Sequence, residues 1–313
     1  MRFAPTKEQE EFAAAIGGLM QTEDSVAVAR SWAAGELSVG NRLWERLSDL
    51  GLTALMVPEE YEGLGGTEVD LAIACEALGH HLSVGPWIES AAFLATALPG
   101  DLAAKIAAGQ PATVQLTDLS SYAEVSGAEA YYVCSDGSLY AGALTGDPVE
   151  SVDRTRILQR LEAGESITSE RLDLALNRGV LAAAAQLLGA GERVLSDAVS
   201  YAKQRHQFGR PIGSYQAIKH ALADCRIALD FARPLLWGAA LDPTARDVSA
   251  AKLACTQAAD LAGRTALQVH GAIGYTAEYD LSLWLGRIRA LRSAWGDPTW
   301  HRRRIVAAME AVR

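Results

Sequence analysis

The sequence predicts a mainly α-helical protein in which a small β domain separates an N-terminal helical domain from a C-terminal helical bundle. Three observations carry this. Apolar residues recur at three- and four-residue spacing through the first 110 residues and again after Arg171. Between Pro111 and Glu170, short β-branched or aromatic runs are interrupted by Gly, Asp and Ser. Finally, one apolar stripe persists from Leu172 to Tyr201, beyond the ~8–20 residues of an ordinary globular helix. The expected domains are residues 1–110, 111–170 and 171–313.

Within the first domain, the helical spacing is clearest over Phe12–Leu19, Leu43–Leu50 and Leu71–Leu78. Proline and clustered glycines make Val57–Thr67 a structured loop before Glu68 restarts the pattern. In the second domain, Ala112–Leu116, Ala130–Ser135 and Ser138–Leu144 read as strands. The last two are joined by a tight hairpin at Ser135-Asp136-Gly137. In the third, breaks at Gly209–Gly213, Asp242–Thr244, Gly271–Thr276 and Gly296–Pro298 leave one long helix, two middle helices and two shorter ones.

With 313 residues, half of them hydrophobic, the chain can bury a sizeable core. Its 38 acidic and 28 basic side chains, for a net charge of −10, argue against nucleic-acid binding. Apolar runs such as Val180–Ala185 fall far short of a ~20-residue membrane span, and no leader pattern opens the chain, so a cytoplasmic protein is expected. Cys75, Cys134, Cys225 and Cys255 lack metal or disulfide spacing and read as small apolar residues. His80, His81 and His270 have no second ligand at helical spacing and read as structural. Hydrolase, P-loop and Rossmann signatures are absent.

Four stretches occur in one order: Leu43–Gly79 with its Val57-Pro58-Glu59-Glu60-Tyr61 loop; Tyr201–Ile212, containing Arg205-His206-Gln207-Phe208-Gly209; Tyr215–His220; and Gln268–Tyr275. Together they resemble the acyl-CoA dehydrogenases. The resemblance implies an acyl-CoA dehydrogenase fold with a helical N-terminal domain, a middle β domain that carries a flavin ring and is truncated here, and a C-terminal four-helix bundle through which subunits pair around FAD. It further implies that Arg205, Gln207, Phe208 and Gln216 form one wall, and Gln268, Gly271 and Ala272 another, against the pyrophosphate and adenine end of a neighbouring subunit's FAD. The residue types suit that task. Arginine offers a fixed donor fork for a diphosphate, phenylalanine a flat apolar face, and glycine a close backbone approach.

The family's reaction needs a carboxylate base for the proton beside a thioester carbonyl. Ungapped counting puts the two places from which the family supplies it at Trp295 and Gly179, neither of which can accept a proton. The segments that cradle the flavin ring are not recognisable in the short middle domain, and Asp297 stands where a threonine contacts pyrophosphate. What a chain uses for its own flavin is thus degraded, while what it offers a neighbour is kept.

This pattern resembles the heteromeric α2β2 acyl-CoA dehydrogenases of actinobacterial sterol catabolism. It implies a cofactor-sharing subunit without a catalytic base, acting with a full-length homologue on a CoA thioester and passing electrons to a flavoprotein acceptor. One alternative is a self-sufficient enzyme using Asp297 as base, though an N-cap before Pro298 is the plainer role for that residue. The other is a non-enzymatic scaffold that binds a CoA ester. The basic cluster His301-Arg302-Arg303-Arg304, with Arg287, Arg289 and Arg292, reads as a solvated or subunit-facing surface with acidic partners.

Overall fold

The computed structural model describes residues 4–311. Its N-terminal helices are α1 (Lys7–Thr22), α2 (Ser25–Ala33), α3 (Leu37–Asp49) and α4 (Glu68–His80). Helices α1 and α4 both open on capping boxes, Thr6 with Gln9 and Thr67 with Asp70, which satisfy amide donors that the helix itself cannot. The Val57–Thr67 loop contains a single turn at Glu59–Tyr61. A buried π-helix, Ile88–Leu94, runs into the short α5 (Ala95–Ala97), and α6 (Gly100–Ala107) follows.

The middle of the chain forms a sheet of β1 (Ala112–Leu116), β2 (Ala123–Glu124), β3 (Ala130–Ser135), β4 (Ser138–Glu150) and β5 (Ile157–Ile167), in the order β1-β3-β4-β5-β2. Strand β1 lies parallel to β3 with Val114 opposite Tyr132, and the other pairs are antiparallel. The β3–β4 turn falls where Asp-Gly predicts it, with φ of 49° at Asp136 and 69° at Gly137, as a type I′ hairpin requires. Strand β4 continues past the predicted Leu144, and β2 and β5 carry no clear strand signal. Most of β5 is exposed, so its alternation of polar and apolar residues is weak.

The C-terminal part contains α7 (Leu172–Gln204), α8 (Gln216–Leu241), α9 (Ala245–His270), α10 (Leu281–Ser293) and α11 (Pro298–Glu310). A small hairpin of β6 (His206–Gln207) and β7 (Arg210–Pro211) links α7 to α8. Helix α7 is the axis of the molecule, and Val180–Ala185 is wholly buried. Against it α4 packs backbone to backbone: a Cβ at Gly79 would overlap the main chain of Gln186, and one at Gly189 that of Glu76. Only glycine permits that approach.

Charge reinforces the joint. Arg233 on α8 grips Glu76 on α4 at 2.7 and 2.8 Å and reaches Glu192 on α7 at 2.8 Å. Arg226 meets both oxygens of Glu192 at 2.6 Å and Asp230 at 2.7 Å. Cys75, Cys225 and Cys255 are buried, Cys134 is half-buried, and all four are free. No helix among the described residues is long and apolar enough to cross a membrane.

Arg287 corrects the surface reading of the basic cluster. It is buried on α10, with Nε 2.5 Å from Asp153 Oδ2, and it donates to Ser83 O at 2.9 Å and Thr155 Oγ1 at 3.0 Å. One guanidinium thereby ties together the bundle, the N-terminal domain and the β4–β5 connection. Burial pushes the Asp153 carboxyl up, but the charge and hydrogen bonds of Arg287, with Thr155, hold it below the usual range. A depressed carboxylate contributes its stability above the ordinary Asp range and loses it as pH falls through the folded-state value. Replacing Arg287 with Ala leaves Asp153 buried and unpaired. The expected cost is about 3–5 kcal/mol by urea denaturation at neutral pH, with a smaller difference from the parent in acid.

Candidate functional site

The predicted wall residues meet at one pole of the bundle, where α7 and α9 end side by side. Tyr201 and His270 stack there with ring centroids 4.3 Å apart. The chain leaves α7 at Arg205 and closes its hairpin through a 2.8 Å bond from Ile212 N to Arg205 O. The hairpin turn, Phe208-Gly209, has φ of 52° and 79°, which thrusts the Phe208 ring outward to 92% exposure. Arg210 lies over the Tyr215 ring at 4.0 Å, and Tyr215 Oη donates to Gln207 O at 3.3 Å, which props the hairpin. Arg205, Gln207, Gln216, Gln268 and Ala272 are all exposed. Gly271 adopts φ 67° and ψ −140°, a conformation essentially confined to glycine, as α9 turns away.

This pole presents a cation, amide donors and a bare aromatic face, a set of groups that fits a diphosphate joined to a flat ring. The neighbouring helix surface is also apolar and uncovered. Ile227, Phe231 and Leu235 recur one turn apart along α8, and Phe231 is 74% exposed.

Gly179 and Trp295, the two positions at which counting places the family's base, lie elsewhere, and the fold brings them into contact. A Cβ on Gly179 would overlap the Trp295 indole, so the tryptophan occupies the space into which a side chain at 179 would project. Trp295 is buried, packs on Phe93 at 5.8 Å between centroids, and is held at φ 60°. Gly179 lies near the start of α7 and Arg205 at its end, roughly 40 Å apart at helical rise, so the two places cannot belong to a single centre. Asp297 has a different task. Its Oδ1 accepts the Trp300 amide at 2.7 Å and caps α11.

Trp295 also lines a cavity of about 380 Å³ between the β segment, the π-helix and α10. Among its polar residues, Glu89, Glu124 and Arg156 were not recognised from the sequence. Arg156 Nε lies 2.5 Å from Glu124 Oε2, and its Nη2 lies 3.8 Å from Glu89 Oε1. Burial pushes Glu124 up to about 7 against the opposing charge of Arg156. Burial likewise raises Glu89, although Arg156 opposes it.

The remaining candidates are structural. His270 Nδ1 lies 2.7 Å from Ala266 O, and among the described residues no metal-type cluster of His, Cys, Asp or Glu occurs. Arg292 pairs with Asp260 at 2.8 Å, and Arg304 bonds Asn177. His301 is buried, so that part of the basic cluster is also interior.

The helices before the sheet and the bundle after it each match a family model of one class of dehydrogenase. Residues 6–98 match the family model of the acyl-CoA dehydrogenase N-terminal domain, and residues 170–310 that of the C-terminal domain. The chain is 31% identical over 290 residues to acyl-CoA dehydrogenase IpdE2 of Mycobacterium tuberculosis, covering 90% of this chain and 91% of that protein.

Among solved structures it is similar to the Tcur3481-Tcur3483 steroid ACAD G363A variant, with TM-score 0.84 and 21% identity over 98% of this chain and 99% of the other. It is also similar to the ChsE4-ChsE5 complex from Mycobacterium tuberculosis, with TM-score 0.79 and 22% identity over 99% of each chain. The chain belongs to the acyl-CoA dehydrogenase family, FAD-dependent oxidoreductases acting on CH–CH bonds.

Substituting Asp297 with Ala removes the α11 cap. Thermal and urea unfolding should register a loss of about 0.5–2 kcal/mol, and Asp297→Asn should recover most of it.

Proposed function

We propose that this chain is the cofactor-sharing subunit, without a catalytic base, of a heterotetrameric acyl-CoA dehydrogenase that carries out α,β-dehydrogenation of a sterol-derived CoA thioester. The observation that carries this reading is the contrast between the two ends of α7. At one, Trp295 fills the space above Gly179 and leaves no carboxylate at either base position. At the other, Arg205, Phe208 and Gln268 stand exposed, ready to meet a neighbour's cofactor.

In the complex, a full-length homologue supplies the carboxylate that takes the α-proton. Bound FAD would supply the hydride-accepting chemistry for the β-carbon. Arg205 would donate to the diphosphate, Gln207, Gln216 and Gln268 would present amide groups to it, and Phe208 would offer its face to the adenine. Gly271 and Ala272 would let the backbone come close, with no more than a methyl group intervening. The apolar stripe on α8 supports burial against the homologue. The names of two similar structures, a ChsE4-ChsE5 complex and a Tcur3481-Tcur3483 steroid ACAD, support both the paired assembly and the sterol-derived substrate. A flavoprotein would serve as the electron acceptor of the complex.

The test is flavin content by visible absorbance against protein mass, for the chain expressed alone and with a candidate homologue. Little flavin alone and one per unlike pair is the expected result, whereas full occupancy of the lone chain overturns the reading. In the complex, Arg205→Ala should lower flavin affinity by about tenfold or more, as loss of a charge-assisted diphosphate contact does. Asp297→Ala should leave turnover within about twofold, measured at a temperature where both proteins are folded, because its carboxylate serves the helix cap.

A further inference from the structure

We propose that Tyr215 and Arg210 are positioning residues for the cofactor wall: they act through the β6–β7 hairpin, holding it in the setting that turns Arg205, Gln207 and Phe208 toward one dinucleotide. The inference rests on the shared-flavin reading and adds to it the device that holds the wall in place before the cofactor arrives.

The hairpin cannot hold itself. Its strands have two residues each, with His206 opposite Pro211 and Gln207 opposite Arg210. An isolated two-stranded hairpin is marginal in water even when longer than this. The turn adds strain, because Phe208 and Gly209 have φ of 52° and 79°, and a bulky residue rarely adopts the left-handed region. Nothing packs on the tip either. Phe208 is 92% exposed, and a Cβ added at Gly209 would meet no atom within 4 Å.

The contacts that do hold it converge on Tyr215. The ring of this half-buried residue lies 4.0 Å from the Arg210 guanidinium, which fixes β7, and its Oη donates to Gln207 O at 3.3 Å, which fixes β6. Tyr215 is also the N-cap residue of α8, so Gln216 begins that helix directly after it. Its amide donates to Ile212 O at 3.1 Å, and the Ile212 amide donates to Arg205 O at 2.8 Å. Gly213 seats this turn against α7, where a Cβ would come within 3.0 Å of Ala202 O. One side chain thereby sets the spacing among Arg205, Gln207, Phe208 and Gln216. Arg210 lies on the Tyr215 face and serves the hairpin, which leaves Arg205, exposed at the end of α7, as the diphosphate cation. Setting the hairpin beforehand matters because every side chain or loop ordered on binding subtracts from affinity. Without the prop, the strained turn relaxes and Arg205 and Phe208 no longer face one ligand.

The test measures FAD affinity by flavin fluorescence on the deflavinated complex with the full-length homologue, and thermal melting of the same complex without flavin. Tyr215→Leu should weaken FAD binding by about tenfold, as loss of one cation–π contact and one hydrogen bond does, with the flavin-free melting temperature unchanged. Tyr215→Phe, which keeps the ring, should lose about threefold or less. Arg210→Met should reproduce most of the Tyr215→Leu loss, and Arg210→Lys should recover it. In the Tyr215→Leu background, Arg210→Met should add less than about twofold, since both residues act through one contact. Unchanged FAD affinity in Tyr215→Leu overturns the proposal, as does a melting temperature that falls in step with affinity. A full additional loss from Arg210→Met in the Tyr215→Leu background also overturns it, because Arg210 would then touch the cofactor itself. Should Tyr215→Leu not assemble, the contrast between Arg210→Met and Arg210→Lys decides. Arg205→Ala separates this inference from the reading beneath it. If Arg205→Ala weakens FAD binding and Tyr215→Leu does not, only the positioning role fails; if neither does, the shared-flavin assignment fails and the positioning role with it.

Discussion

The ion pair between Arg287 and Asp153 is the constraint on which the rest of the arrangement depends. Two charges removed from water are tolerated only when geometry and hydrogen bonding offset their lost hydration. Here the guanidinium engages a carboxylate and a hydroxyl two residues apart and a backbone carbonyl from the N-terminal domain, so that with α10 three separate parts of the chain meet at it. Thr155, its third partner, also accepts the Trp32 indole N–H at 3.0 Å through its carbonyl, which extends the junction to α2. The next residue, Arg156, is thereby held where it reaches Glu124 and Glu89. The cavity beside Trp295 thus follows from a clamp formed one residue earlier.

Trp295 carries its own cost. A bulky residue in the left-handed region is strained by about 1–3 kcal/mol and persists only where its surroundings compensate. The compensation is visible: the indole is buried, packs at a tilt against Phe93 and fills the groove above Gly179. Small at one position and large at the other, the two residues form a complementary pair across the start of α7. Enlarging the first would require the second to shrink.

Much of this architecture was legible in the sequence because its signals are local. The stripe of α7, the breaks between the bundle helices, the Asp-Gly hairpin and the cap at Asp297 each rest on a few neighbouring residues. The segments that build the exposed pole were readable for the same reason, since Arg205 to Phe208 and Gln268 to Ala272 are short and contiguous. What escaped notice depends on distant residues meeting. Nothing near Glu89 or Glu124 marks either as buried, because their environment is assembled from a π-helix, a two-residue strand and α10. Arg287 looked like surface because its acid, Asp153, lies in another domain. Strand β5 was missed because a largely exposed ribbon has little hydrophobic pattern to show.

The charged lattice between α4, α7 and α8 bears on behaviour at elevated temperature. Glu76, Arg233, Glu192, Arg226 and Asp230 form a continuous ladder, partly screened from solvent, that joins two domains. The hydration that such groups forgo on pairing becomes less favourable as water warms, whereas hydrophobic burial gains little more. Heating therefore shifts the balance at this joint toward its ion pairs, and the seam between the N-terminal helices and the bundle should outlast the exposed β4–β5 ribbon as the molecule approaches melting.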